Sequence, residues 1–310
     1  MDNIKRISVA ALAAITLWAC QTSPDINPAA PFKLGETIIV NATGESNDTK
    51  TVLAEDGSSI LWSAGDALNL WYGSSAGRFV STNAEPAAKA QFQGSLNNVT
   101  GTAEGASPEA GQSFYSIYPF SENNSLQNNT ISMIFPQVQN AVEGSFDPAA
   151  FPAAACSGNL DLEFRNACGL LKIVVGNEGV YAISLHGNNN EPLSGPGQIS
   201  FDGNTPLLTM GPYSSSPYNG EIVLKSETPL GTGKPYYMAV PPTEFTQGAV
   251  LTLYDKNSQA IETFTLNKAL AVKRNKVHSL TLKKSNPGIQ ALRMKNSPHV
   301  ACGVYKLSYE

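Results

Sequence analysis

A serine in Gly73-Ser74-Ser75-Ala76-Gly77 is the first candidate for chemistry, because the segment matches the G-x-S-x-G elbow of serine hydrolases. That elbow needs a strand before the serine and a helix after it, so that the hydroxyl is exposed beside backbone N–H donors. Here the segment is followed by Arg78-Phe79-Val80-Ser81, which has the composition of another strand. The sequence therefore predicts a hairpin turn at this place and no catalytic residue.

Phosphate-binding and metal-binding motifs are incomplete in this sequence. Gly231-Thr232-Gly233-Lys234 is followed by Pro235, where a phosphate loop needs Ser or Thr. His186, His278 and His299 lie far apart, without the spacing of metal ligands. The carboxylates are scattered, which leaves open a glycosidase pair assembled from distant strands. We expect no cofactor, no metal and no enzymatic activity.

Several aromatic residues alternate with other residues in short runs that are typical of strands. Alternation places such side chains on one face of a sheet, so core packing is the expected role. A platform that stacks on a carbohydrate is the alternative. These residues are Trp62, Trp71, Tyr72, Tyr115 and Tyr118.

The N-terminus indicates export and lipid attachment. Lys5 and Arg6 precede an apolar run over 7–17, which is too short for a spanning helix and has the length of a signal peptide. The run ends in Leu17-Trp18-Ala19-Cys20, which resembles a bacterial lipobox. We expect a signal peptide over 1–19, acylation of Cys20 with chains such as palmitate, and a polar tether over 20–34 that joins the protein to the outer membrane. An ordinary secretory signal is the alternative.

Three further cysteines lie beyond Cys20. Cys156 and Cys168 could form a disulfide across a short loop in an oxidising compartment, which would leave Cys302 unpaired. Free thiols fit the sequence as well, so their state stays open.

Length and composition favour short strands. With 310 residues, the chain is expected to contain two domains. Hydrophobic residues make up 42%, enough for a core, but charged residues make up only 15%, which disfavours coiled coils and helical bundles. The 26 glycines and 20 prolines interrupt the chain too often for long helices. A net charge of −5 gives no basic surface for nucleic acid.

The order of strand and turn signals predicts an all-β protein with two tandem β-sandwich domains. We place the N-terminal sandwich at 35–157, the C-terminal sandwich at 158–284 and a tail at 285–310. The division falls in an Ala- and Pro-rich stretch over 144–157.

The ordered series of motifs resembles the fimbrillins, the lipoprotein subunits of type V pili in Bacteroidales-type bacteria. The resemblance covers about residues 35–284 and, besides the lipobox at Cys20, rests on the following motifs: Thr51-Val52-Leu53 with Ile60-Leu61-Trp62-Ser63-Ala64-Gly65-Asp66-Ala67-Leu68, Phe114-Tyr115-Ser116-Ile117-Tyr118-Pro119-Phe120, Ile134-Phe135-Pro136-Gln137-Val138-Gln139, Leu162-Glu163-Phe164-Arg165-Asn166-Ala167-Cys168-Gly169-Leu170-Leu171-Lys172-Ile173, and Tyr236-Tyr237-Met238-Ala239-Val240-Pro241-Pro242 with Phe245 and Gly248.

The resemblance implies transthyretin-like Greek-key sandwiches that polymerise by donor-strand exchange. An early strand would leave, and a strand of the next subunit would take its place. Thr37, Ile38, Ile39 and Val40 form the candidate removable strand. The candidate donor strand in the tail contains Val300, Cys302, Val304 and Leu307; one last strand on the parent domain, or a disordered tail, is the alternative.

Processing in that family can use an Arg-specific protease, but no arginine lies between Cys20 and Arg78. Lys33 and Lys50 are the basic residues in this interval, and Lys50 follows the candidate strand in a polar stretch. Lys50 is therefore the candidate processing site.

The expected function is that of a structural fimbrial subunit at the cell surface. Its expected partners are other fimbrial subunits, the outer membrane through the lipid anchor, and a host or bacterial surface ligand. A surface adhesin or glycan-binding lipoprotein that does not polymerise is the alternative.

Overall fold

The computed structural model describes residues 32–45, 61–98 and 111–283, together with the backbone of 292–296 and 303–307. Within these residues the chain is built from strands and one 3₁₀ helix, Pro148–Ala150, and contains no α-helix. The all-β class predicted from the sequence is confirmed. The strands are β1 Thr37–Gly44, β2 Ala67–Tyr72, β3 Ser75–Ser81, β4 Lys89–Ser95, β5 Asn97–Asn98, β6 Phe114–Tyr118, β7 Ser125–Gln127, β8 Thr130–Phe135, β9 Val138–Asn140, β10 Ala153–Ser157, β11 Asp161–Asn166, β12 Gly169–Val175, β13 Ala182–Gly187, β14 Gly195–Asp202, β15 Thr205–Met210, β16 Glu221–Lys225, β17 Pro235–Val240, β18 Thr243–Phe245, β19 Ala249–Tyr254, β20 Ala260–Leu266, β21 Leu270–Val272, β22 Val277–Leu282, β23 Leu292–Asn296 and β24 Gly303–Leu307.

The first sheet closes on itself. Its order is β2-β6-β10-β11-β1-β4-β3-β5, and an additional pairing joins β2 to β3. The strands from β2 to β3 therefore form a barrel, and β5 extends the end of β3. Every barrel pairing is antiparallel except that of β1 with β11. Closure leaves no strand edge along this wall.

Alternation along the barrel strands fills the interior with apolar side chains. In β1 the burial pattern alternates between exposed and buried over Thr37 to Ala42, as expected for a strand with one wet face. The indole of Trp62 lies at the centre of an aromatic cluster, with edge-on contacts at centroid distances of 5.2 Å to Phe92, 5.3 Å to Tyr118 and 5.2 Å to Phe164. We call this set of buried side chains the barrel core.

Two of the sequence motifs meet at one barrel turn. Asp66 accepts hydrogen bonds from the Ser63 backbone N–H at 2.7 Å and from the Tyr118 hydroxyl at 3.0 Å. Gly65, which lies between Ser63 and Asp66 in the sequence, has φ of +81°. A glycine suits this left-handed conformation. Burial raises the pKa of Asp66, and the hydrogen bonds from Ser63 and Tyr118 act in the opposite direction. The Ser-Ala-Gly-Asp sequence therefore has a structural role.

The second unit contains the other sheets, which share one core. Their orders are β17-β12-β22-β24-β23, β20-β19-β13-β16-β9, β15-β14-β8-β7 and β18-β21. Buried side chains from all four, including Leu171, Ile183, Ile199 and Phe245, belong to a single hydrophobic cluster. Trp71 on the outer face of the barrel joins the same cluster, so the two units pack against each other.

Sheet membership does not follow the predicted division at residue 157. The division falls at the end of β10, yet β10 pairs with β11 inside the barrel. Conversely, β8 and β9 precede the division but pair with β14 and β16 of the second unit. Strand signals are local, whereas strand partners lie far apart in the sequence, and this explains the difference. Two tandem Greek-key sandwiches stay a prediction.

No helix in the described part of the chain is long and apolar enough to span a membrane.

Candidate functional site in the barrel wall

The candidate site is the position of β1 between β4 and β11. Residues Thr37 to Thr43 pair antiparallel with Ser95 to Lys89 of β4, and Asn41 to Gly44 pair parallel with Asp161 to Phe164 of β11. This first strand of the described chain therefore joins two strands that follow it by about fifty and about one hundred and twenty residues. Its removal would open the barrel and leave two ladders of backbone donors and acceptors unpaired.

The inner face of β1 seals the barrel core. Ile38, Val40 and Ala42 are 9%, 0% and 1% exposed and belong to that core. Fully burying a side chain such as valine or isoleucine contributes about 1.5–3 kcal/mol. Without β1, the ring of Phe92 and its neighbours would face a water-filled groove.

The outer face of β1 carries a row of hydrogen-bonded polar side chains that crosses three strands and specifies their register. We call this row the polar crossing. Asn41 Nδ2 donates to Asp161 Oδ1 at 2.7 Å, and Gln91 Nε2 donates to Asn41 Oδ1 at 3.3 Å. These three residues are direct partners across β11, β1 and β4, and they line an open cleft of about 710 Å³. A one-residue slip would turn Asn41 inward and Ala42 outward, so the crossing and the core select the same register.

The end of β1 is tied to the second unit by an ion pair. Arg274 Nη1 and Nη2 donate to the two Glu45 carboxylate oxygens at 2.6 Å and 2.9 Å, and Nη1 also donates to the Asn166 carbonyl at 2.9 Å. The side chains of Arg274 and Glu45 are only 23% and 17% exposed. We call Glu45, Arg274 and Asn166 the latch. Bidentate, partly buried pairs of this kind are stronger than surface ion pairs.

The residues predicted from the sequence lie in different places. Thr37, Ile38, Ile39 and Val40 form the first half of β1, and the removal of this strand stays a prediction. Cys20, Lys50, Val300 and Cys302 lie outside the described residues. Val304 and Leu307 lie in β24, whose backbone pairs parallel with β22 over three residues and antiparallel with β23.

The backbone pairing of β24 matches the alternative of one last strand on the parent domain. Its role as a donor strand stays a prediction, and donation would require β24 to leave β22. Cys156 and Cys168 are both free thiols. Cys168 is fully buried, and burial raises the pKa of its thiol.

The hairpin turn predicted at Gly73 is confirmed. Tyr72 pairs with Ser75, and Gly73 has φ of +58°, so the segment is a two-residue hairpin turn between β2 and β3. His186 lies on β13 and His278 on β22. Burial lowers the pKa of His278, and Lys273 adds to that shift. Among the described residues, no group of three His, Cys, Asp or Glu side chains could hold a metal ion.

The predicted aromatic residues are core residues. Core packing is confirmed for four of them, since each is at most 6% exposed: Trp62, Trp71, Tyr72 and Tyr118. The fifth, Tyr115, is half-buried, and its ring centroid lies 5.7 Å from that of Phe201. The latch could not be predicted from the sequence, because Glu45 and Arg274 lie 229 residues apart and no motif joins them. The exposed Tyr213 and Tyr218 were not predicted either, although their Tyr-x₄-Tyr spacing in a Ser/Pro-rich loop is a signal in the sequence.

No family model and no curated protein matches this sequence. In structure, the chain is similar to putative cell adhesion proteins and to fimbrial proteins of Bacteroidales. Two putative cell adhesion proteins, from Bacteroides uniformis ATCC 8492 and Bacteroides ovatus ATCC 8483, align with 88% of this chain and 97% of their own, at 15% and 11% identity and TM-scores of 0.45 and 0.44. The tip fimbrial protein Mfa3 from Porphyromonas gingivalis, with C-terminal truncation, aligns with 89% of this chain and 98% of its own, at 11% identity and a TM-score of 0.36. At these identities and scores, function has to be argued from the chain itself.

Proposed function

We propose that this chain is a structural fimbrial subunit that polymerises by exchanging β1 for a strand of a neighbouring subunit. Export as a lipoprotein, with acylation at Cys20, would bring it to the outer membrane and the cell surface, where the polymer supports adhesion. The observation that carries the proposal is the position of β1, which closes the barrel between two strands distant in sequence.

Departure of β1 would create a site that only another strand can fill well. The vacated groove would present the backbone edges of β4 and β11, and its floor would be the barrel core. A donated strand would regain the ladder hydrogen bonds and bury alternate side chains, which is β-augmentation. Because each subunit would give at one end and receive at the other, the contact is heterologous and generates an open filament.

Cleavage after Lys50 is the step that would make β1 replaceable. Lys50 lies between β1 and Leu61, where the described chain resumes, so a cut there would break the covalent link between β1 and the barrel. The strand would then be held only by its two ladders, its inward side chains and the latch. An intact link would keep β1 at a very high effective concentration beside its groove and would oppose exchange.

The latch opposes the loss of β1. Glu45 lies on the β1 side of Lys50 and would leave with the strand, which would deprive the half-buried Arg274 of its carboxylate. Removing one partner of a buried charge pair costs more than the pair itself contributes, because the other charge stays desolvated. The latch is therefore a barrier that an incoming strand has to overcome.

We expect Arg274→Met to lower the free energy of unfolding by about 1–3 kcal/mol and to speed the release of β1 after cleavage. Urea unfolding of the purified chain measures the first effect, and polymer yield over time measures the second. Lys234→Met is the matched control, since it removes an exposed pair with Glu143 at 3.1 Å and should change stability by less than about 0.5 kcal/mol. Equal unfolding curves for the two variants would rule out the latch.

Electron microscopy of cells labelled with antibody to this chain, together with N-terminal sequencing of the surface-exposed form, tests the proposed function. We expect label along filaments and a mature N-terminus at or after residue 51. Absence of filaments, or an intact acylated Cys20 on every copy, would contradict a polymerising subunit and favour the adhesin that does not polymerise.

A further inference from the structure

Two tyrosines stand out on the surface of the second unit. Tyr213 and Tyr218 are 39% and 37% exposed, and they are the only exposed residues among the aromatic side chains that the structure describes. They lie in the loop between β15 and β16. Their ring centroids are 6.2 Å apart and their planes are perpendicular, so together they form an open corner with a floor and a wall. We call this pair the tyrosine platform.

The loop that carries the platform is fixed by one buried side chain. Asn219 is 5% exposed; its Oδ1 accepts from the Ser214 N–H at 2.7 Å and its Nδ2 donates to the Pro212 carbonyl at 3.0 Å. The Asn219 carbonyl accepts from the N–H groups of Leu193 and Ser194. These bonds hold the loop before any ligand arrives, which reduces the entropy lost on binding.

A glycine beneath the platform lets the rings approach the backbone. A Cβ at Gly220 would lie 2.8 Å from Tyr213 Cε2 and 3.3 Å from the Tyr218 hydroxyl oxygen. A side chain at this position would therefore push at least one ring aside. The close approach is a second sign that the loop presents the two rings in one arrangement.

Polar groups lie beside the rings, near the end of β13 and the start of β16. The imidazole of His186 lies parallel to the Tyr218 ring, with an angle of 9° and a centroid distance of 6.2 Å. Glu221 is the direct partner of His186 across β13 and β16. Burial raises the pKa of Tyr218, and Glu221, Tyr213 and Tyr254 add to that shift, so these groups lie close to its hydroxyl. The corner therefore combines aromatic faces with hydroxyl, imidazole and carboxylate groups.

We propose that the tyrosine platform binds an uncharged hexopyranose unit of a surface glycan. The C–H face of a pyranose carries partial positive charge and is apolar, which suits the electron-rich face of a tyrosine ring. Its hydroxyl groups, which project around the rim, need hydrogen-bond partners such as His186 and Glu221. The Glu221 carboxylate disfavours acidic sugars. This site does not depend on the proposed exchange of β1.

A single open corner of this size is expected to bind weakly. An exposed ring buries only one face of a sugar, and ligands gain affinity mainly where most of their surface is enclosed. Display of many copies on one surface would convert weak contacts into strong attachment through multivalency. The test therefore has to present the glycans densely or measure weak binding directly.

The test is an array of immobilised neutral and acidic glycans probed with the full mature chain, followed by saturation-transfer NMR with methyl glucoside, galactoside and mannoside. We expect signal on neutral glycans, at least a tenfold loss with Tyr218→Ala or Tyr213→Ala, and retention with Tyr218→Trp. Leu207→Ala is the matched control, because Leu207 is 48% exposed on β15 and lies outside the platform. Since the three substituted side chains, Tyr213, Tyr218 and Leu207, are exposed, the unfolding temperature should stay unchanged in all four variants.

Three results would overturn the proposal. They are no signal on neutral glycans, signal that the two tyrosine substitutions leave unchanged, and tyrosine-dependent binding only to peptides or proteins. Gly220→Ala gives an independent check. It retains both tyrosines in the sequence, but its added Cβ should displace their rings and weaken binding to a similar degree.

Discussion

Val40→Asp is expected to lower the free energy of unfolding of the barrel by about 4 kcal/mol or more. Val40 is fully buried at the centre of β1, and an aspartate there would place a carboxylate without a partner among apolar side chains. Urea unfolding followed by tryptophan fluorescence measures the effect, because Trp62 lies in the barrel core and Trp71 lies on the neighbouring barrel strand β2. Thr37→Asp is the control on the same strand, because Thr37 is exposed.

Val40→Ala separates a smaller packing defect from complete loss of folding. It leaves a cavity without adding charge, and we expect a loss of about 1–3 kcal/mol in a chain that still folds. Equal stability of Val40→Asp and Thr37→Asp would contradict the role of β1 in sealing the barrel.

Strand positions could be predicted well from local sequence. β1, β8 and β12 have the β-branched or alternating composition that burial on one face requires. β10 was missed, because Ala-Ala-Ala-Cys-Ser lacks the branched residues that signal a strand. Its small side chains lie in the barrel wall, where Ala154 and Ala155 are fully buried.

Strand partners could not be predicted, and this limits what the sequence reveals about the site. Val40 looks like an ordinary strand residue until its neighbours in β4 and β11 are known. The latch depends on that same arrangement, since it is the parallel pairing of β1 with β11 that brings Glu45 to Asn166 and Arg274. The barrel closure follows from the pairing of β2 with β3, a hairpin that the sequence did predict, but local signals cannot show that the hairpin also completes a ring.

Replacement of β1 is the central claim, and a reversible covalent lock tests it. Ile39 on β1 and Gln93 on β4 are direct cross-strand partners with exposed side chains. Antiparallel partners lie within the Cα separation that a disulfide needs. Ile39→Cys combined with Gln93→Cys should therefore form a bond that holds β1 in the wall even after cleavage at Lys50.

The control is a disulfide that does not touch β1. Ser200 on β14 and Leu207 on β15 are also exposed cross-strand partners, so Ser200→Cys combined with Leu207→Cys gives a lock of the same kind in the second unit. Non-reducing gel mobility verifies that each bond has formed. The unfolding temperature verifies that neither bond disrupts the fold.

The decisive measurement is filament formation by the chain locked at Ile39→Cys and Gln93→Cys, scored by electron microscopy and by detergent-resistant ladders with and without reductant. We predict no filaments from the oxidised chain, normal filaments after reduction, and normal filaments from the control pair in both states. Filaments from the oxidised Ile39–Gln93 lock equal to those of the unaltered chain would contradict the exchange of β1.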